Sequence, residues 1–236
     1  MKKIKQLIIS LIVLASLFFL FGPEVIPDNY QLQEILNQAS DDDVIIIFNS
    51  GGWGNTPVEK AEDFAPIIEG IQETLNEWGY KSVIVPYVRT KDDLLGKITG
   101  IKEFLNSFQN SSRDLAKEIE FLAKNLPDKK IIIAGLSNGG AFVNETYKKI
   151  SKDVKSSVYT IAAGAPFWED SVKSENILQI DNNGKDTLAI GEVKSLLLSL
   201  IKAPFTGKFY APGHEYYWSS PGVKSQIVSF LEKKFR

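Results

Sequence analysis

Short unbroken apolar runs alternate along this chain with longer stretches in which apolar positions recur every three or four residues. The first kind reads as strands buried on both faces, the second as helices laid over them. Val44-Ile45-Ile46-Ile47-Phe48 predicts a first strand and Ser82 to Val85 a second, ended by Pro86. Ile131 to Ala134, Ser157 to Ala162 and Ile177 to Ile180 predict three more, and Lys208-Phe209-Tyr210-Ala211 a short last one. Between them, Thr56 and Pro57 suit the cap and first turn of a helix running to about Trp78. Asp92 to Asn125 predicts a long helical stretch broken near Asn110-Ser111-Ser112, and Gly139 to Ile150 a further helix. Tyr30 to Ala39 predicts a short helix, and Val223 to Phe235 predicts the last one. Val193, Leu196, Leu197, Leu200 and Ile201 fall on one face of an amphipathic helix, read as core packing with a lid as the other role. The fold class implied is α/β: a mostly parallel sheet with helices on both faces. Ligands of such sheets bind beyond the carboxyl ends of the strands.

The N-terminus departs from this alternation. Lys2, Lys3 and Lys5 precede an uncharged apolar run from Leu7 to Gly22, the cationic and hydrophobic regions of an export signal. No pair of small residues suited to cleavage follows it, so an uncleaved anchor is favoured over a cleaved signal peptide. The basic flank places the body outside the cytoplasm, held at the cell membrane or, after cleavage, secreted. The organisation expected is a signal-anchor or signal peptide at 1–23, a linker at 24–40 and one folded domain at 41–236.

Composition narrows the chemistry. The chain has 236 residues, 44% apolar and 24% charged, with a net charge of -2. The first 23 residues hold three lysines and no acid, leaving 24 basic residues against 29 acidic ones. An acidic body without a Lys/Arg cluster argues against a nucleic-acid partner. Cysteine is absent and histidine occurs once, which rules out a cysteine nucleophile and leaves no donor set for a zinc site. No cofactor motif stands out. Gly51-Gly52-Trp53 lacks the Lys-Ser/Thr that a phosphate-cradling loop requires.

Gly135-Leu136-Ser137-Asn138-Gly139 follows the third predicted strand and precedes a helix, the setting of a nucleophile elbow. A serine hydroxyl needs a neighbouring base, and His214 is the only histidine available. It follows the last predicted strand through Pro212-Gly213. Two carboxylates could orient it, Asp181 directly after the fifth strand and Asp186 past the turn Asn182-Asn183-Gly184-Lys185. The N–H of Asn138, with that of Gly52 or Trp53, would form an oxyanion site. Trp53, Trp168 and Trp218 fall on loops that would either line an acyl pocket or pack as ordinary aromatics.

With these residues on view, the chain resembles the α/β-hydrolase superfamily over residues 41–236. The order Ser137, Asp186, His214 is the order of nucleophile, acid and base in that superfamily. The loop Asn49-Ser50-Gly51-Gly52-Trp53-Gly54 matches its glycine-led loop, with Asn49 where a histidine is common. Asn183-Gly184-Lys185-Asp186-Thr187-Leu188 is similar to its acid turn, which favours Asp186 over Asp181. A fainter likeness to class 3 lipases rests on residues 135–141, on Gly164-Ala165-Pro166 and on Tyr216-Tyr217-Trp218; Leu136 stands where those enzymes carry histidine. The resemblance implies a serine hydrolase acting on a small-molecule or lipid ester, an esterase or lipase, with the membrane reached through the N-terminal segment. A thioesterase, acyltransferase or peptidase would use the same residues, and a silent binding module would keep the fold alone.

Overall fold

The computed structural model describes residues 39–170, 172–198 and 211–236. The predicted export segment at 1–23, nearly all of the predicted linker and the strand predicted at 208–211 lie outside the described residues or at their edge. Among the described residues, no helix is long and apolar enough to cross a membrane.

Among the described residues, five parallel strands form one sheet: β1 (Val44–Asn49), β2 (Ser82–Pro86), β3 (Lys130–Leu136), β4 (Val158–Ala163) and β5 (Ile177–Ile180), in the order β2-β1-β3-β4-β5. Every residue of β1 and β4 is buried, because helices cover both faces. On one side Val44, Ile46 and Phe48 meet α1 (Ala65–Glu77) and the C-terminal helix (Pro221–Phe235), through Ile68, Ile71, Ile227 and Leu231. On the other, Ile45 and Ile47 share a core with Leu115, Ile119, Phe142 and Val143, from a helix at Gln109–Asn125 and one at Asn138–Lys149. The period of two along each strand thus feeds two cores, which is why the strands read as continuous apolar runs. The predicted fold class holds. In chain order the helices after α1 are α2 (Leu94–Leu105), α3 (Gln109–Asn125), α4 (Asn138–Lys149), the single turn α5 (Thr187–Ile190) and α6 (Pro221–Phe235).

The chain runs from β1 outward to β2 and then returns to β3 on the other side of β1. The loops leaving β1 and β3 therefore part in opposite directions and open a crevice between them, the topological switch point at which ligands bind in open α/β sheets.

Two predicted boundaries move. The helix expected from Pro57 begins only at Ala65, after one 3-10 turn at Val58–Lys60. Pro66 cannot donate a backbone hydrogen bond, so it is tolerated only in the first turn, and the helix starts just ahead of it. The break expected near Asn110 lies at residues 106–108, where Ser107 and Phe108 adopt φ of 47° and 56°. Burial of the Phe108 ring against Phe104 and Phe142 holds that unfavourable conformation.

One carboxylate on α3 makes stability depend on pH. Burial first, and Asp114 second, push the Glu118 carboxyl from 4.5 up to about 7. Between those values the folded chain keeps a proton that the unfolded chain releases, so stability falls as pH rises from 4.5 to about 7. Glu118→Gln is expected to raise the urea midpoint at pH 8 and to leave it unchanged near pH 4.5; equal shifts at both would contradict this.

Candidate active site

β3 ends at Leu136 and α4 opens at Asn138, which leaves Ser137 alone on the turn between them. Its φ of 56° and ψ of -120° are strained for a residue with a side chain. The strain is held by neighbours: the Ser137 N–H donates to the Ala163 carbonyl at 2.8 Å, and the Ser137 carbonyl accepts from Ala141 N–H at 3.0 Å. The next turn of backbone is equally tight. A Cβ on Gly139 would lie 2.4 Å from the Asn49 carbonyl oxygen, so only glycine lets α4 start this close to the end of β1.

His214 Nδ1 stands 2.8 Å from Asp186 Oδ2. Asp181 is not at the ring; its Oδ1 accepts from Gly184 N–H at 3.0 Å and shapes the turn. Asp186 is fully buried and caps α5, with Oδ1 accepting from Leu188 N–H at 2.9 Å and Ala189 N–H at 3.1 Å. Burial alone would raise its carboxyl. The hydrogen bonds from His214 and Tyr216, with that from Ala189, outweigh burial and hold the group below its usual value. The loops carrying acid and base are stitched together: Asn182 Nδ2 donates to the Gly213 carbonyl at 3.0 Å, and Thr187 donates to the Pro212 carbonyl from both N–H and Oγ1, each at 3.0 Å.

Two residues that sequence reasoning did not single out complete this group. Tyr216 is buried, and its hydroxyl donates to Asp186 Oδ2 at 2.5 Å, with the Ile180 carbonyl oxygen a further 3.2 Å neighbour of the same hydroxyl. Burial and the Asp186 charge both push its phenol upward, so it remains a donor. Gly164, at the end of β4, lies under the same cluster; a Cβ there would meet His214 Cε1 at 2.8 Å and Asp186 Oδ2 at 3.0 Å. The sequence displayed both residues only as parts of a family likeness. Tyr216→Phe removes a hydrogen bond to a buried charge, so it is expected to destabilise the protein by about 1–3 kcal/mol. Asp186 would lose a donor and its carboxyl would rise, so the acid limb of stability moves to higher pH. An unchanged urea midpoint together with an unchanged acid limb would argue against this.

The loop after β1 lies against the elbow. A Cβ on Gly51 would be 3.7 Å from Ser137 Cβ, and Asn138 Nδ2 donates to the Gly52 carbonyl at 3.2 Å. Gly52 itself has φ 54°, and Gly54 N–H closes the turn onto the Gly51 carbonyl at 3.0 Å. Two cavities flank this wall. One of about 310 Å³ is lined by Ser137, His214, Gly52, Thr56 and Asp63 among others. The other, of about 450 Å³, is apolar and lined by Trp53, Phe104, Asn138, Phe167, Trp168 and Leu196. Trp53 and Trp168 thus border a pocket, whereas Trp218 packs on Gly70 of α1. Of the apolar stripe predicted from Val193, Leu200 and Ile201 lie outside the described residues; Leu196 is buried, whereas Val193 and Leu197 are exposed and line the larger of these two cavities. Among the described residues, no cluster of His, Asp and Glu could hold a metal ion.

No family model matches this chain, and no curated protein matches it. Solved structures do. A Trichoderma reesei cutinase, in complex with a phosphonate inhibitor, superposes with a TM-score of 0.56 at 15% identity, covering 86% of each chain. A cutinase-like protein from Cryptococcus sp. gives a TM-score of 0.55 at 16% identity over 81% of this chain and 94% of its own. An acetylxylan esterase gives 0.50 at 14% identity over 80% of this chain and 97% of its own. The five-stranded parallel sheet, with its crevice between β1 and β3, is the α/β-hydrolase fold in its cutinase-like form.

Proposed function

We propose that the protein is a serine ester hydrolase in which Ser137 attacks the acyl carbonyl, His214 takes its proton and Asp186 orients the imidazole. The observation that carries this is the contact of the only histidine with a buried carboxylate, at a cavity that the histidine shares with a serine held on a strained strand-to-helix turn. His214 Nδ1–H donates to Asp186, which leaves Nε2 free to accept the Ser137 proton. Attack creates a tetrahedral oxyanion. Asn138 opens α4, so its N–H is one of the donors a helix leaves unpaired, and it receives this charge with help from the β1 loop. Of the two loop candidates Gly52 fits better. The Gly52 carbonyl turns toward the Asn138 side chain at the elbow, and peptide planarity sends the Trp53 N–H the other way. Collapse of the intermediate expels the alcohol, the proton from His214 goes to its oxygen, and water then releases the acid by the same steps in reverse.

The apolar cavity beside Asn138 suits an aliphatic acyl chain, and the smaller, more polar cavity at Ser137 and His214 suits the alcohol. This favours a cutinase-like aliphatic ester over the acetyl group that the name of the acetylxylan esterase specifies. The same reading places residues 1–23 as the anchor or signal that carries the enzyme out of the cytoplasm, supported by Lys2, Lys3 and Lys5 ahead of the apolar run.

The test is labelling with a fluorophosphonate beside a chain-length series of p-nitrophenyl esters. Labelling of the parent that is lost in His214→Ala, with turnover rising from acetate to longer acyl chains, is the expected result. Folded parent protein that does not label would sink the hydrolase reading and favour the silent binding module.

A further inference from the structure

Arg89 is a cation sealed inside the protein, with only 4% of its surface exposed. It follows β2, and its guanidinium lies over the rings of Phe108 and Phe142 at 5.1 and 5.0 Å. Burial lowers its pKa to about 10, so it remains charged at neutral pH. Among the described residues no carboxylate forms an ion pair with it, and its Nε has no hydrogen-bond partner. Keeping a charge there is unfavourable, and an apolar side chain of similar length would fill the space at lower cost. The rings offset part of that cost. Among the described residues, what remains specific to the guanidinium is a single hydrogen bond.

That bond runs from Arg89 Nη2 to the Ser50 carbonyl at 2.8 Å. The neighbouring backbone repeats the pattern. Arg89 N–H donates to the Gly54 carbonyl at 2.8 Å, and Thr90 Oγ1 donates to the Trp53 carbonyl at 2.9 Å. Gly54 lies directly on the guanidinium, since a Cβ there would sit 2.2 Å from Arg89 Nε. The turn that presents Gly52 to the elbow is therefore held from beneath at Ser50, Trp53 and Gly54. These three carbonyls point to the Arg89 segment, while the Gly51 carbonyl accepts from Gly54 N–H inside the turn and the Gly52 carbonyl from Asn138 Nδ2 at the elbow.

We propose that Arg89 is a positioning residue for acyl transfer: by fixing the Ser50 carbonyl it holds the turn in which Gly54 N–H grips the Gly51 carbonyl, and so sets the aim of the Gly52 N–H that stabilises the oxyanion. The proposal rests on Ser137 being the nucleophile. Arg89 touches no reacting atom and acts only through the loop.

The experiment compares parent, Arg89→Met and Arg89→Lys for kcat and KM on a p-nitrophenyl ester, and for hydrogen exchange of the amides at residues 51–54. Methionine fills the space without charge; lysine keeps a charge between the rings, loses the planar fork and stays decisive should the methionine variant not fold. A misaimed oxyanion donor is expected to lower kcat by about 10- to 100-fold, with KM within about twofold, and to speed exchange in the loop. Unchanged kcat in a folded variant, or a rise in KM at constant kcat, overturns the proposal. Exchange that stays slow while kcat falls overturns it too, because the loop would not be the intermediary. A parent that neither labels with fluorophosphonate nor turns over ester defeats the reading of Ser137 instead, and the positioning role falls with it.

Discussion

Ser137→Ala is expected to lower ester hydrolysis by about 10⁴- to 10⁶-fold and to abolish fluorophosphonate labelling, while leaving the fold intact. The residue lies between a strand and a helix and carries little of the core, so the effect should be almost wholly chemical. Its backbone sharpens the test. With φ at 56° and ψ at -120°, any side chain at 137 is strained, and glycine alone is at ease there. Ser137→Gly should therefore be as inactive as Ser137→Ala yet more stable than the parent, by about 1 kcal/mol once the added freedom of glycine in the unfolded chain is counted. Urea unfolding of the three proteins reads this directly. A glycine variant no more stable than the alanine variant would mean that the elbow stores no strain.

Asp186→Asn carries the second large effect, a loss of about 10⁴-fold in kcat. The carboxylate accepts from His214 Nδ1, from Tyr216 and from two backbone amides. An asparagine amide in that place can donate to Nδ1, which moves the ring proton to Nε2 and removes the acceptor that Ser137 needs. Asp181→Asn supplies the control, because the Asp181 carboxylate hydrogen-bonds within its own turn and not to the ring, so its loss should change kcat by less than about threefold. Equal losses at the two positions would contradict the assignment of the acid.

Much of this was legible in the chain, for physical reasons that differ from place to place. The strands were legible because a sheet covered on both faces demands unbroken apolar runs, and Val44-Ile45-Ile46-Ile47-Phe48 can be little else. The turn after the fifth strand left Asp181 and Asp186 both open as partners of His214, and only the likeness to the α/β-hydrolase acid turn favoured Asp186, which is the one found against the ring. The helix after β1 was misplaced by reading Pro57 as its start when Pro66 restricts it more strongly. The break at residues 106–108 was hidden because it places a phenylalanine at φ 56°, a choice made by the tertiary core and not by local preference. Val193 and Leu197 show a different limit. An apolar stripe has the same period whether it faces a core or lines a cavity, so periodicity could not separate the two roles. Arg89 was beyond reach altogether, since an isolated arginine after a strand ordinarily reads as a surface residue.

The strand order has a consequence for how the molecule comes to be folded. Among the described residues, no strand pairs with its neighbour through a tight turn; β1 pairs with β2 across a helix, and Val44 then meets Lys130 on β3 across two further helices. Closing such distant segments loses chain entropy before any contact compensates for it, so refolding should be slow for a domain of this size. The crevice lies on the most distant of these pairings, β1 with β3. Recovery of Ser137 labelling after dilution from denaturant should therefore lag behind the return of helical signal.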